Sequence, residues 1–415
     1  MKTDLTSGGR GSPKNKFIQV KNNMAINCPI CESSNHSVFL SISEVPVHCN
    51  LICCQYGEAL NVVRGDIDLA LCRKCGHVFN AAFNPALMRY SGSYENSLHF
   101  SERFREYTDW LAEQLIERHS LNDKKIAEIG CGQGDFLKLV CKRGGNEGIG
   151  FDPGYRGELD SEGNNHAVRI IKEFYSDQLS ESQVDFIICR HVLEHIYDPR
   201  NFLDHINRTV DNNQNTKLFF EVPSLLWTLR DFSIWDIIYE HYSYFSSYSL
   251  SRLFSGCGFS VHAIYETYEK QFLCIEASKS AHQNGNFRLD DNCVGELLNY
   301  TGDFTQRFQN KIAESKNFLT NSIRDKKKVV LWGAGSKGVT FLNILNIKDQ
   351  IRYVVDINPR KQGKYIAGTG QEIVNPKLLK DYKPDYIVVM NPIYLNEIKK
   401  YVRDELGLSG KLLAV

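Results

Sequence analysis

The sequence predicts an α/β protein in which two Rossmann-like units follow a small cysteine-rich module. Three observations predict it. Short apolar strand patterns alternate with helical patterns from about residue 87 to the end. Two glycine-rich turns, at residues 130–134 and 333–338, each follow a strand and open a helix. Two Cys-x-x-Cys pairs stand ahead of both units, with 40 residues between them.

Size and composition frame these elements. A chain of 415 residues is too long for one ordinary domain. Residues 1–23, rich in Gly, Ser, Asn and Lys, read as a disordered tail without the apolar stretch of a signal peptide, and Met24 is an alternative start. The cysteine module spans 24–86, the larger α/β unit 87–280, a polar linker 281–291 and the smaller α/β unit 292–415. Lys plus Arg equals Asp plus Glu, 49 against 49, which argues against a nucleic-acid or membrane binder. The thirteen cysteines are odd in number, and several, such as Cys189 and Cys274, sit inside apolar strand patterns. Core filling in a reducing cytoplasm is the expectation for those.

The first module carries Cys28-Pro-Ile-Cys31 and Cys72-Arg-Lys-Cys75. Two such turns supply four thiolates to one tetrahedral zinc. A closed four-thiolate set has no open coordination position, so the zinc is expected to be structural. His48, Cys49, Cys53 and Cys54 lie between the pairs without a second ligand spacing, and packing is expected of them.

In the larger unit a helix is expected over 101–118 and strands over 126–129, 147–151, 168–171, 184–189 and 217–222, closed by a pair at 259–265 and 272–277. The segment IAEIGCGQGDFLKLV joins the first strand to a helix and places Gly130, Gly132 and Gly134 in the turn. Glycine permits the tight turn and the approach of a ligand to the backbone. Glu128, just before the turn, would repel a pyrophosphate and suits a cationic methionyl ammonium. Asp152, after the second strand, suits ribose hydroxyls. Past the fifth strand, YEHYSYF packs Tyr239, Glu240, His241 and two more tyrosines into seven residues. Loops beyond strand C-termini line the crevice of such sheets, and a histidine beside an acid is a natural base.

The glycine turn resembles motif I of class I methyltransferases, which use S-adenosylmethionine. ICRHVLEHIYDP resembles the fourth-strand segment of that family. The resemblance implies that His191 lies near the cofactor, His195 near the substrate opening and Phe174 near the adenine; an exposed helix residue is the other reading of His195. The order of the three regions resembles sugar C-methyltransferases acting on nucleotide-linked keto-deoxysugars, over nearly the whole chain after Met24. That family has a four-cysteine zinc module, a methyltransferase domain and a C-terminal Rossmann-like domain. By this resemblance His241 is the base, Glu240 its neighbour, and Tyr90 or Tyr94 lines the active site. Two departures surround the substrate. Ile238-Tyr239 stands where the family has Tyr-His, and His191-Val-Leu-Glu-His195 where it often has Asn-Val-Leu-Ala-His.

The smaller unit repeats the logic, with strands expected at 328–332, 352–355 and 386–390, a helix at 339–345, and Asp356 after the second strand. Gly333, Gly335 and Gly338 form a fair dinucleotide fingerprint. No hydride-transfer constellation accompanies it, and the C-methyltransferase resemblance implies the nucleotide part of the substrate there instead. Lys337, with Arg360 or Lys361, would offset phosphate charge. The expectation is C-methylation beside a ketone through an enolate. O- or N-methylation on the same scaffold, or a non-catalytic zinc-stabilised S-adenosylmethionine binder, are the alternatives.

Overall fold

The computed structural model describes residues 26–88, 94–157, 168–175, 184–210, 215–279 and 292–415. The expected tail at 1–23, the expected linker at 281–291 and Tyr90 lie outside the described residues. No helix among the described residues is long and apolar enough to cross a membrane.

The strands, in chain order, form three sheets. The first holds β1 (His36–Pro46), β2 (Arg64–Cys72) and β3 (Val78–Asn80), all antiparallel. The second is built from β4 (Lys125–Ile129), β5 (Glu147–Phe151), β6 (Val168–Ile171), β7 (Phe186–Arg190) and β8 (Lys217–Pro223), all parallel. A two-residue strand, β9 (Ser243–Tyr244), follows β8 in the chain but leaves this sheet. Its partner is β3, with Val78 opposite Tyr244, so it is the fourth strand of the first sheet. The antiparallel pair β10 (Phe259–Thr267) and β11 (Phe272–Lys279) closes the second sheet beside β8. The third sheet is wholly parallel, in the order β14-β13-β12-β15-β16. Its strands are β12 (Val329–Trp332), β13 (Tyr353–Val355), β14 (Glu372–Val374), β15 (Tyr386–Val389) and β16 (Lys411–Ala414).

The patterns that produced the expectations are the ones that bury. All five residues of β7 are buried, as a parallel strand covered on both faces requires. Val184 itself stands outside the strand: Asp185, next in line, exchanges backbone hydrogen bonds with Lys125 and Lys217 at the sheet entry. The helix Glu102–His119 begins where Ser101 accepts the N–H of Phe104. The long helix Phe304–Arg324 was not expected; Phe304, Phe308, Ile312 and Leu319 give it one buried stripe.

In the second and third sheets the first strand lies centrally, β4 between β5 and β7 and β12 between β13 and β15. The chain reverses direction across the sheet there, so a crevice opens at the C-terminal ends of these strands. Both glycine turns sit at such a point.

Candidate active site

The turn after β4 is shaped for a ligand. Gly130, Gly132 and Gly134 all have positive φ, 71°, 58° and 79°. A Cβ on Gly130 would come within 2.2 Å of Val192 Cγ2, whereas one on Gly132 would meet nothing within 4 Å. The first glycine is needed for packing, and the second leaves open backbone for a ligand. Asp152 fixes the turn by accepting the N–H of Gly132 at 2.8 Å and of Gly154 at 2.7 Å. Each oxygen keeps a lone pair for a further donor.

Glu128 is buried and its Oε2 has no hydrogen-bond partner. Burial pushes its carboxyl up to about 8, although the Arg190 guanidinium pulls the other way. Arg190 is paired with Glu221 at 2.8 Å and lies 4.2 Å over the Phe136 ring. Tyr107 donates to the other oxygen of Glu221.

Beyond β7 the chain turns sharply at His191, whose φ is 55°. Its Nε2 lies 2.9 Å from Glu221 and its Nδ1 3.7 Å from Glu194. Burial opposes its charged form, yet those two carboxylates outweigh burial and hold it up to about 9. His191 is therefore an imidazolium at neutral pH.

His195 donates from Nδ1 to the carbonyl of Glu240, 2.9 Å away. That bond fixes the tautomer and leaves Nε2 as the acceptor. His241 packs edge-on against it, with ring centroids 5.0 Å apart. Burial first, then the His195 ring, lowers His241 to about 4, so it is a free base at neutral pH. Glu240 is fully buried and accepts the N–H of Cys49 at 2.9 Å, with His48 Nδ1 at 3.5 Å. It anchors the loop and does not line the cleft.

Tyr239, expected at the reacting centre, is displaced from it. Its ring stacks on Phe83 and lies against Gly65, and its hydroxyl accepts the N–H of Asn84 at 2.8 Å. Pairing of β9 with β3 turns the tyrosine toward the cysteine module and His241 toward the cleft. Phe174 is 69% exposed at the end of β6. Tyr94 lines the cleft beside Asn50.

The cleft has a volume of about 330 Å³. His191, Glu194, His195 and His241 form one wall, and Gly333, Gly335, Lys337 and Gly338 of the second glycine turn form another. Asp356 holds that second turn as Asp152 holds the first, accepting from Ala334 and Asn358 at 2.8 Å each. Lys337 pairs with Asp236 across the cleft. Lys361 is buried, donating to Asn50 and to the carbonyl of Ala334, and Arg360 pairs with Glu95.

In the cysteine module, Cys28 lies 3.5 Å from Cys75 and Cys31 3.5 Å from Cys72, sulfur to sulfur. All four sulfurs lie within 4.8 Å of one another. These spacings exceed a disulfide bond and match the edges of a thiolate tetrahedron around zinc. Four thiols this close do not ionise together without a cation between them.

Residues 99–264 match the family model of a methyltransferase domain, and residues 292–414 match that of the C-methyltransferase C-terminal domain. The C-methyltransferase NovU of Streptomyces niveus is 24% identical over 409 residues, covering 93% of this chain and 94% of the relative. These matches make the chain an S-adenosylmethionine-dependent methyltransferase that carries a C-methyltransferase C-terminal domain. Among solved structures, a methyltransferase from Aquifex aeolicus matches 46% of the chain and 100% of its own length at 16% identity, TM-score 0.34. Magnesium protoporphyrin IX methyltransferase of Synechocystis PCC 6803, with bound S-adenosylhomocysteine, matches 43% of the chain and 84% of its own at 17% identity, TM-score 0.31.

The methyltransferase's own residues fit S-adenosylmethionine. The orphaned oxygen of Glu128 awaits a cation, and the open face of Gly132 admits a ligand against the backbone. Sequence reasoning missed Arg190, Glu194, Glu221 and His48 as parts of this site. Glu221 did carry a signal, a lone acid inside the apolar run LFFEV. His48 carried none, because its contact with Glu240 spans 192 positions.

Proposed function

We propose that the enzyme methylates a carbon beside a ketone in a nucleotide-linked deoxysugar or a similar activated ketone. The observation that carries this reading is the neutral, half-buried imidazole of His241 on the cleft wall, with no acidic proton to lose before it can act. His241 accepts the proton from the carbon next to the carbonyl. The C–H electrons become the enolate double bond, and His191, held as a cation, stabilises the negative oxygen. When bound, S-adenosylmethionine would supply an electrophilic methyl for the enolate carbon, its sulfur keeping the electrons of the broken S–CH3 bond. Glu128 would hold its ammonium, Asp152 its ribose, and Phe174 would cover its adenine. His241 then releases its proton to water. Alignment and the base carry the rate.

The second glycine turn is read as the seat of the substrate's phosphates. The helix Ser336–Leu345 starts there with no side-chain cap, and its first residues border the cleft. Tyr94 and Lys337 would border the sugar and the phosphates. Cys28, Cys31, Cys72 and Cys75 hold a structural zinc, and reduced thiols suit a cytoplasmic enzyme.

The test is mass spectrometry of reactions with S-adenosylmethionine and a panel of nucleotide-linked 4-keto-6-deoxy sugars in heavy water. One added methyl, with deuterium exchange that needs His241, is expected. Methyl gain on oxygen or nitrogen without exchange would replace C-methylation with the other chemistry on this scaffold.

A further inference from the structure

Glu194 serves the mechanism above only by helping to hold His191 charged, yet it is one of the most enclosed charged groups in the cleft wall. Its side chain is 2% exposed. Its Oε2 has no hydrogen-bond partner. Its Oε1 lies 3.7 Å from His191 Nδ1 and 3.9 Å from His195 Nε2, both too long for hydrogen bonds. One oxygen of this buried carboxylate faces the charged His191 and the other has no partner, a cost that a further cation held against it would relieve.

The neighbours are arranged to share one. Donor atoms of Glu194, His195 and His241 lie within 4.8 Å of one another. His195 gives its Nδ1 proton to the Glu240 carbonyl, so Nε2 presents its lone pair on the Glu194 side. An imidazole tied by one nitrogen to a backbone carbonyl and free at the other is the usual state of a metal-ligating histidine. The Glu240 carbonyl is itself fixed, since that residue's carboxylate takes the Cys49 N–H.

We propose that Glu194, His195 and His241 form a second metal site, distinct from the four-cysteine cluster, that takes one divalent transition-metal ion. Two imidazoles and one carboxylate suit zinc, cobalt or nickel, whereas magnesium and calcium prefer all-oxygen sets. Three protein ligands leave a position open toward the cleft. The bound ion occupies the lone pair of His241 and so blocks methyl transfer; this consequence, unlike the binding, rests on the proposed base role of His241.

Cobalt(II) is the probe. The full chain, with zinc already in its cysteine cluster and loose metal removed, is titrated by calorimetry and visible absorption. One further equivalent is expected, with weak d–d bands and no thiolate charge-transfer band. Glu194→Gln and the less buried His195→Gln should each weaken it at least tenfold while still binding S-adenosylmethionine, which reports the fold. No equivalent beyond the cysteine cluster, or unchanged affinity in both variants, overturns the site. Turnover should fall with the same midpoint as binding. Turnover persisting at full occupancy, with His241→Ala inactive, overturns the block and leaves the base assignment standing.

Discussion

At the scale of single residues, function depends on where burial and charge set proton affinities. His241 has lost the stabilisation of its charged form, so the acid limb of kcat/KM should lie near pH 4 and not near the ordinary histidine value. A profile falling near pH 6.5 would contradict that environment. Substituting His241→Ala should lower turnover by about 10²–10⁴-fold. Calorimetry should find S-adenosylmethionine binding retained. Glu128 runs the other way. Its folded-state value is raised to about 8 against an ordinary 4.5, so the folded protein holds a proton that the unfolded chain has lost. Its contribution to stability therefore falls as pH rises from 4.5 and is fully lost above about 8. A cationic ligand favours the ionised form, so S-adenosylmethionine affinity should rise by up to about tenfold per pH unit below 8 and level off above it. Glu128→Gln should flatten that dependence. The acid was legible before its motif, but its unusual proton affinity was not, because that arises from burial in the folded protein, which outweighs the opposing pull of Arg190.

At the scale of elements, the two glycine turns were legible because their chemistry is local. Strand, glycines, helix and a following acid are all written within short stretches of sequence. Gly130→Ala tests the tightness of the first turn. Its φ of 71° strains an L side chain, and the new methyl would strike Val192. Strain of this kind costs about 1–3 kcal/mol. Because Val192 adjoins His191, both the melting temperature and S-adenosylmethionine affinity should fall. An unchanged affinity would show that the turn and the histidine segment move independently. The segment YEHYSYF was legible only in part. Its composition flagged it, yet which side chains face the cleft is set by β9 pairing with β3, and that pairing sends Tyr239 into the core.

At the scale of the whole molecule, the cysteine module and the YEHYSYF loop are one structure. The backbone of Asn80 accepts no slack there: its N–H donates to the Tyr242 carbonyl, His77 meets Ser243 at 3.2 Å, and Cys49 holds Glu240. Cys72→Ser should therefore lower both thermal stability and kcat, and zinc content by mass spectrometry should fall with them. A stable, zinc-free, fully active variant would sink the structural role. The sequence by itself determined the α/β class, the two glycine turns and the grouping of the four cysteines, because each depends on spacing within a short stretch or on one residue type repeated at it. Tertiary structure alone decided that β9 joins the first sheet, that Glu194, His195 and His241 converge, and that both glycine-turn units border one cleft. Those relations join residues tens to hundreds of positions apart, where burial and strand pairing, not local pattern, fix which atoms meet.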